Sequence, residues 1–259
     1  MASDTALYVI TFLTAIGVST FAMVSGGEGA IIFTPFFIAI GLSPQQAIAT
    51  AFVTQVFGKT SGTIGYHRKK GLIQWKLVGI LLLLGLPFVF AGAFLTHFLK
   101  SPFLQFLFGV MAIFLSIAMV CSLRKNDDNR ESVENSELLK WSLVPAIAGF
   151  LTGIFSIGCG TINLILLERV LKLKIVKAVA TVVAVMAFTA LAGSIVHACY
   201  GVRWDILPFT AGGVLIGGQI GPRVAKCLDD KNKSYMIKAL FMALTAIVGI
   251  IMMASSGIF

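Results

Sequence analysis

Residues 25–29 read Ser-Gly-Gly-Glu-Gly and interrupt an otherwise apolar stretch of the chain. The run before them, 5–24, has the ~20 residues needed to cross a bilayer, whereas the run after them, 30–40, is too short to cross. Glycines between two such runs end a helix and leave backbone N–H groups without partners. Such backbone is tolerated at membrane depth only where it is buried in protein or lines a cavity. The stretch therefore predicts a broken helix inside a membrane protein.

The same break occurs a second time in the chain. Gly27 and Gly158 are 131 residues apart, and the same spacing separates Thr50 from Thr181. In both places a short apolar run follows the glycines and a longer one follows that. The sequence is therefore interpreted as a duplicated unit in which each copy carries a short helix after a glycine break.

The composition independently places the chain in a membrane. Hydrophobic residues make up 58% and charged residues only 12%, with a mean hydropathy of +0.95. Soluble domains are about one-quarter charged. We therefore expect an all-α polytopic membrane protein. The apolar runs predict ten helical segments, at 5–24, 29–41, 44–65, 75–97, 102–123, 140–156, 160–173, 177–199, 204–226 and 235–257.

The basic residues predict how these segments are oriented. If the connections alternate between the two sides of the membrane, one side receives 17 of the 20 Lys and Arg residues, in loops 66–76, 124–140, 169–177 and 223–238. Short loops rich in Lys and Arg are cytoplasmic. Both termini are thus expected outside. This topology also accounts for the net charge of +9, so no nucleic-acid partner is expected.

An odd number of segments per copy makes the two copies inverted relative to each other. Residues 1–123 form the first predicted repeat, 124–139 a solvated cytoplasmic linker, and 140–259 the second repeat. Segments one and two either cross the membrane separately or form a re-entrant hairpin, and both alternatives return the chain to the same side. The fold class is therefore two inverted five-segment repeats with glycine-broken short helices.

The helix starts after the breaks are the candidate substrate site. A helix N-terminus carries about half a positive charge and free N–H donors, so two of them facing each other favour an anion. The alternative is that the glycines only allow close helix packing. Around the two breaks the candidate residues are Ser25, Gly26, Gly27, Glu28, Gly29, Ser156, Gly158, Cys159, Gly160 and Asn163.

Three further candidates, and the role of Glu28, depend on alternatives that the sequence leaves open. Thr50 and Thr181 either line the substrate path or bond back to their own helices. Lys59, a basic residue within a predicted span, either attracts substrate or extends to the membrane interface. Glu28 either couples transport to protons or stabilises the start of the helix that follows it.

These motifs resemble those of the TauE/SafE family of sulfite exporters over nearly the whole chain. The residues that carry the resemblance are Gly26-Gly27-Glu28-Gly29, Pro35, Ala47-Ile48-Ala49-Thr50 and Gly71 to Trp75, with the echoes Gly158-Cys159-Gly160, Ala178 to Thr181 and Gly201 to Trp204. The resemblance implies a transporter of the plasma (inner) membrane that exports small sulfur-containing anions, such as sulfite, sulfonates or related organosulfur acids, driven by an ion gradient. The chain departs from the family pattern at Glu28 and Cys159, where glycine is usual, and at Leu166, where the second copy lacks proline.

Two other functions are kept as alternatives. The first is a transporter of a neutral or cationic solute that uses Glu28 as its counter-ion. The second is a membrane thiol or quinone oxidoreductase that uses Cys159 and Cys199. The four cysteines have no CxxC or metal-ligand spacing, so we expect no enzyme activity, no metal and no cofactor. The expected partners are a small anionic solute and the lipid bilayer, with a homodimer left open.

Overall fold

The structure, a computed structural model, describes residues 2–120, 130–230 and 234–258. Within these ranges the chain forms α-helices and no β-strand, as the sequence predicted. The helices are α1 (Ala2–Ser25), α2 (Ala30–Ala39), α3 (Pro44–His67), α4 (Trp75–Leu95), α5 (Ser101–Val120), α6 (Asn135–Leu139), α7 (Leu143–Phe155), α8 (Cys159–Ile165), α9 (Ile175–His197), α10 (Leu207–Asp230) and α11 (Ser234–Ala254). Each of the ten predicted segments corresponds to one of these helices, and α8 continues as a π-helical turn at Leu166–Val170.

The outer surface of the helix bundle is apolar. Four helical stretches are long and apolar enough to cross a bilayer, namely Thr5–Ser25, Trp75–Phe98, Ser101–Val120 and Ile175–His197. Large apolar side chains such as Leu83 and Phe98 lie 76% and 70% exposed. So many exposed apolar side chains mark a surface that faces lipid rather than water. The chain is a multi-pass membrane protein.

Local sequence explains where the first short helix ends and the next one begins. α2 stops at Ala39, and Gly41 follows with a positive φ of 97°. Ser43 then caps α3, since its side chain accepts a hydrogen bond from the backbone N–H of Gln46 and the Gln46 side chain bonds back to the cap. Pro44 occupies the first position of α3, where its missing N–H costs nothing.

The two halves of the chain pack mainly on each other. The first helix of each half lies against the fourth helix of the other, as α1 on α10 and α4 on α7. The third helices, α3 and α9, also pair, and so do the fifth helices, α5 and α11. Exchanging the halves leaves this set of pairs unchanged, which is the pattern expected for two copies related by an approximate two-fold axis. Their inverted orientation in the membrane remains a prediction.

Glycines bring the paired helices into close backbone contact. A Cβ atom built on Gly92 of α4 would lie 2.1 Å from the carbonyl oxygen of Phe150 in α7. Gly109 of α5 and Gly249 of α11 face each other in the same way, with Cβ-to-carbonyl distances of 2.7 and 2.8 Å. Small residues at such contacts are typical of helix packing in membranes.

The predicted linker is more ordered than its composition indicated. Its first part, 124–129, lies outside the described residues, but the part from Arg130 onward is described. In the loop before α9, the carbonyl oxygen of Lys172 accepts a hydrogen bond from the backbone N–H of Arg130. The backbone N–H of Lys174 donates to the carbonyl oxygen of Arg130. The short helix α6 was not predicted, and its Leu138 is completely buried. Leu138 lies in the core and Val133 packs partly against it, so the described part of the linker is less solvated than the sequence predicted. The boundaries of the two repeats remain predictions.

The loops predicted to be cytoplasmic lie close together at one end of the molecule. Lysines from 66–76, from 169–177 and from 223–238 line one cavity, and Arg130 of the linker bonds to the same region. Lys238 is an exception, because it is only 2% exposed and belongs to α11 rather than to a loop. The side of the membrane on which this end lies remains a prediction.

Candidate functional site

The first break separates α1 from α2. α1 ends at Ser25, and Gly26 turns the chain with a positive φ of 71° before α2 begins at Ala30. The hydroxyl of Ser25 accepts a hydrogen bond from the backbone N–H of Gly27 at 3.1 Å and so holds the turn. Glycine adopts this left-handed conformation without strain, whereas any residue with a side chain at position 26 would be strained.

The second break separates α7 from α8 and is held by the first half of the chain. Ser156 and Gly158 have positive φ angles of 62° and 127° between Phe155 and the start of α8. Gln55 of α3 donates from Nε2 to the carbonyl oxygen of Ser156 at 3.2 Å and to its Oγ at 2.8 Å. The sequence did not single out Gln55, because nothing in a helix pattern shows which distant backbone an amide will reach.

Glu28 joins the two breaks. Its carboxylate accepts hydrogen bonds from the backbone N–H groups of Gly158 and Gly160, and only 1% of the residue is exposed. These N–H groups belong to the helix start that the sequence predicted to bind an anion. The two breaks therefore meet inside the protein, and the first break supplies a negative charge to the second.

Lys59 of α3 reaches the first break. Its Nζ donates to the carbonyl oxygen of Gly27 at 2.9 Å, and the residue is 2% exposed. Its charge interacts with that of Glu28. Because a lone charge buried at membrane depth is costly, the two opposite charges stabilise each other's burial. The alternative that Lys59 extends to the interface is wrong, since its amine turns inward.

The remaining polar candidates of the second break lie on α8. The backbone N–H of Cys159 donates to Thr152 Oγ1 at 2.6 Å, and Asn163 Nδ2 lies 3.3 Å from Cys159 Sγ. Within the described part of the chain, Asn163 Oδ1 and Thr161 Oγ1 are buried without a hydrogen-bond partner, as is Thr34 Oγ1 of α2. Each short helix thus carries a buried hydroxyl whose hydrogen-bonding capacity is unused.

The glycines of the breaks also allow close packing. A Cβ on Gly26 would lie 2.8 Å from Leu164 of α8, and one on Gly27 would lie 2.3 Å from the ring of Phe241 in α11. At Gly160 the nearest atoms include Cγ of Glu28, at 2.9 Å. The packing interpretation therefore holds, and the same close packing brings the backbone of the second break into contact with the Glu28 carboxylate. Binding of a substrate anion at the breaks remains a prediction.

Thr50 and Thr181 make matching hydrogen bonds between the two halves. Thr50 Oγ1 accepts from the backbone N–H of Arg203 at 3.2 Å, and Thr181 Oγ1 accepts from that of Gln74 at 3.1 Å. Arg203 and Gln74 each directly precede the tryptophan that recurs in the two copies. These threonines thus link the third helix of each half to a loop of the opposite half. Thr50 Oγ1 also donates a hydrogen bond to the carbonyl oxygen of Gln46 in its own helix.

The cavity beside Lys59 is nearly closed. It has a volume of about 10 Å³ and is bordered by Gly29, Gln55 and Lys59 among others. A single water molecule needs roughly 10–15 Å³ measured in this way. In this conformation the space beside Lys59 has no room for a solute.

A buried ion pair near the end of α8 escaped the sequence analysis. Lys238 Nζ lies 2.5 Å from Glu168 Oε2, and both residues are buried. Glu168 lies in the π-helical turn, where its neighbour Arg169 is 3.7 Å away. The sequence assigned Lys238 and Arg169 to loops because both stand near the ends of apolar runs.

Nothing in the described residues assembles a redox or metal centre. Cys159 is buried, whereas Cys199 and Cys227 are exposed, and all three are free. Cys121 lies outside the described residues. Within the ranges 2–120, 130–230 and 234–258, no group of three or more His, Cys, Asp or Glu side chains is arranged to hold a metal.

Known proteins with similar sequences are named as membrane transporters, which agrees with the multi-pass membrane fold. The chain is 26% identical over 232 residues to the probable membrane transporter protein YjnA of Bacillus subtilis, which covers 83% of this chain and 91% of that relative. It is also 26% identical over 249 residues to the probable membrane transporter protein MJ0441 of Methanocaldococcus jannaschii, covering 90% and 91% of the two chains. No solved structure matches it.

The sequence pattern of a single family extends over almost the entire chain. The pattern described as sulfite exporter TauE/SafE matches residues 11–252, which includes both glycine breaks and every helix that contributes to them. The relatives are named as transporters and not as enzymes, as the sequence analysis expected. The chain is therefore a membrane transporter and belongs to the sulfite exporter TauE/SafE family.

Proposed function

We propose that this transporter exports small sulfur-containing anions, such as sulfite, sulfonates or related organosulfur acids, by proton-coupled alternating access. The observation that carries the proposal is the Glu28 carboxylate on the N–H groups of Gly158 and Gly160. A carboxylate and a sulfonate both present negatively charged oxygens that can accept two neighbouring N–H donors. The internal carboxylate therefore occupies the place that the substrate anion would take.

The surrounding charges favour an anion over a cation. Lys59 brings a buried positive charge to the first break, and the helix start of the second break adds its N–H groups. Glu28 already has partners for both carboxylate oxygens, so it is poorly placed to serve as the counter-ion of a cationic substrate. The geometry thus supports anion transport better than the alternative of a neutral or cationic solute.

Competition between substrate and Glu28 supplies the coupling to protons. A substrate anion can bind the N–H groups only when the carboxylate leaves them, and a displaced carboxylate at membrane depth is most stable when it takes up a proton. Anion and proton then bind together and move in the same direction, so export also carries a proton outward and is driven by the outward concentration gradient of the anion. Acid on the side from which the anion enters should therefore accelerate its flux.

Alternating access is the second part of the proposal. The break is closed in this conformation, with about 10 Å³ of free volume beside Lys59, so binding requires the helices around it to separate. The pairing of α1 with α10 and of α4 with α7 offers two matching groups of helices that can open alternately toward the two sides.

The test is transport into proteoliposomes with sulfite, a sulfonate, sulfate and a neutral amino acid, each with and without an imposed pH gradient. We expect flux of sulfite or the sulfonate, stimulated by acid on the side of entry. Glu28→Gln should retain flux but lose this pH response, because the amide cannot take up the proton. Glu134→Gln, which removes an exposed carboxylate, is the matched control and should behave like the wild type.

Three results would contradict the proposal. Transport of the amino acid without any anion flux would refute the substrate class. An unchanged pH response in Glu28→Gln would refute the coupling role of Glu28. Stimulation by acid on the opposite side would show exchange of anion for proton and would refute the shared direction.

A further inference from the structure

A second cluster of charges lies at the end of the molecule where the basic loops meet. There a cavity of about 290 Å³ is bordered by the lysines Lys69, Lys70, Lys174, Lys177 and Lys226 together with Leu72 and Val176. We call it the lysine pocket. Its residues come from the α3–α4 loop, the α8–α9 loop with the start of α9, and the last turns of α10, so both halves of the chain contribute.

The rule that places Lys and Arg in cytoplasmic loops does not explain why these lysines surround one cavity. Like charges a few ångströms apart repel by roughly 1 to 4 kcal/mol per pair near a protein surface. Separate loops would lower this repulsion by pointing their lysines away from each other. Their convergence therefore indicates a site that gains from positive charge, as at the anion sites of other membrane proteins.

The chain itself places one carboxylate at this site. Glu131 Oε2 lies 2.7 Å from Lys177 Nζ, and Oε1 lies 4.0 Å from Lys174 Nζ. The hydrogen bond and the charge of Lys177 hold the pKa of Glu131 below its usual value. Lys70 and Lys226 make no ion pair with any carboxylate among the described residues, so these two positive charges of the pocket remain available to attract an anion.

Glu131 is held loosely enough to be exchanged. The preceding residue, Arg130, is fixed by backbone hydrogen bonds to Lys172 and Lys174 at 2.9 and 3.0 Å. The Glu131 side chain, however, remains 68% exposed. An anion with more than one negative charge, or with several acceptor oxygens, can therefore replace it without disturbing the backbone of the linker.

We propose that the lysine pocket binds a phosphate-bearing anion, and that Glu131 occupies part of the site when that anion is absent. The volume is close to the lower end of the ~300–1,000 Å³ typical of small-molecule sites, and Leu72 and Val176 give it an apolar border. The phosphate belongs either to the headgroup of an anionic lipid or to a soluble phosphate compound. Because the site connects both halves and the linker, its occupation ties these parts together. This site is separate from the transport site at Lys59 and Glu28.

The test measures binding to the purified full-length protein. Native mass spectrometry follows retention of phosphatidylglycerol against phosphatidylcholine, and thermal unfolding in detergent follows stabilisation by inorganic phosphate. Each lysine at a membrane surface contributes about a factor of five to affinity, so Lys174→Gln combined with Lys226→Gln should weaken binding roughly 25-fold. Glu131→Gln should strengthen it, since the internal competitor is removed.

The matched control is the double variant Lys100→Gln and Lys140→Gln, which removes the same charge from exposed positions outside the pocket. It should bind like the wild type. Preference for phosphatidylglycerol alone would identify a lipid headgroup, and stabilisation by phosphate alone would identify a soluble ligand. Equal losses in the pocket and control variants, or no binding of either probe to the wild type, would overturn the proposal.

Discussion

Gly27 has no space for a side chain, because the ring of Phe241 lies where its Cβ would be, at 2.3 Å. The sequence predicted the importance of this glycine from the repeated break. It did not predict the partner, since Phe241 stands more than 200 residues away in an ordinary apolar run. Likewise the sequence predicted Glu28 and Gly158 as candidate site residues without showing that one would bind the other. Contacts between distant residues are set by the tertiary fold and leave no periodic signal.

This contact leads to a prediction at the residue scale. Gly27→Ala should reduce anion flux at least tenfold, because the added methyl group displaces the α11 ring and moves the first break. Replacing Phe241 by Leu in the same protein should restore a large part of the flux by making room for that methyl group. Gly17→Ala, also in α1 but with no atom within 4 Å of its Cβ, is the control and should transport normally. Failure of the double variant to recover would contradict the packing explanation.

At the scale of helices, the ten apolar runs predicted the bounds to within four residues when the π-helical turn is counted with α8, since apolar length and turn residues are local signals. Which helix lies against which was beyond the sequence. α4 packs on α7 rather than on its neighbours in the chain, and this choice depends on where small residues of two remote helices coincide. The linker helix α6 was also missed, because only two leucines distinguish it from a solvated segment.

The α4–α7 contact makes a second prediction. Gly92→Ala should lower the free energy of unfolding by about 1–3 kcal/mol, since its Cβ would meet a backbone oxygen that cannot move away. Gly79→Ala is in the same helix but meets nothing within 4 Å, and it should be neutral or stabilising by up to ~1 kcal/mol. Unfolding in detergent, followed by circular dichroism over a denaturant titration, measures both. Equal stability of the two variants would contradict the close packing of α4 on α7.

For the molecule as a whole, the repeated motifs predicted two copies, and the helix pairs are consistent with a two-fold relation between them. The matching bonds of Thr50 and Thr181 obey the same relation. The orientation in the membrane rests on the basic loops alone. Charge counts predict the side of each loop, whereas the coordinates place loops only relative to one another.

Two exposed cysteines test that orientation. Cys199 lies beside the Arg203 loop, predicted outside, and Cys227 follows Lys226 of the lysine pocket, predicted cytoplasmic. In intact cells that carry a Cys121→Ser variant, a membrane-impermeant maleimide should label Cys199 and leave Cys227 unlabelled until the cells are opened. Single Cys199→Ser and Cys227→Ser variants assign the two signals. Labelling of Cys227 but not Cys199 in intact cells would show that the topology is the reverse of the predicted one.

The tight closure around Glu28 and Lys59 has a consequence for the energetics of the cell. The cavity beside Lys59 has a volume of about 10 Å³ and holds at most one water molecule, so we expect it to offer no hydrated route for small ions when the carrier is empty. The idle protein should therefore not dissipate the electrical potential on which other membrane processes draw. The Glu28 carboxylate, which leaves its N–H partners when the substrate anion binds, would also block the passage of small ions between transport cycles.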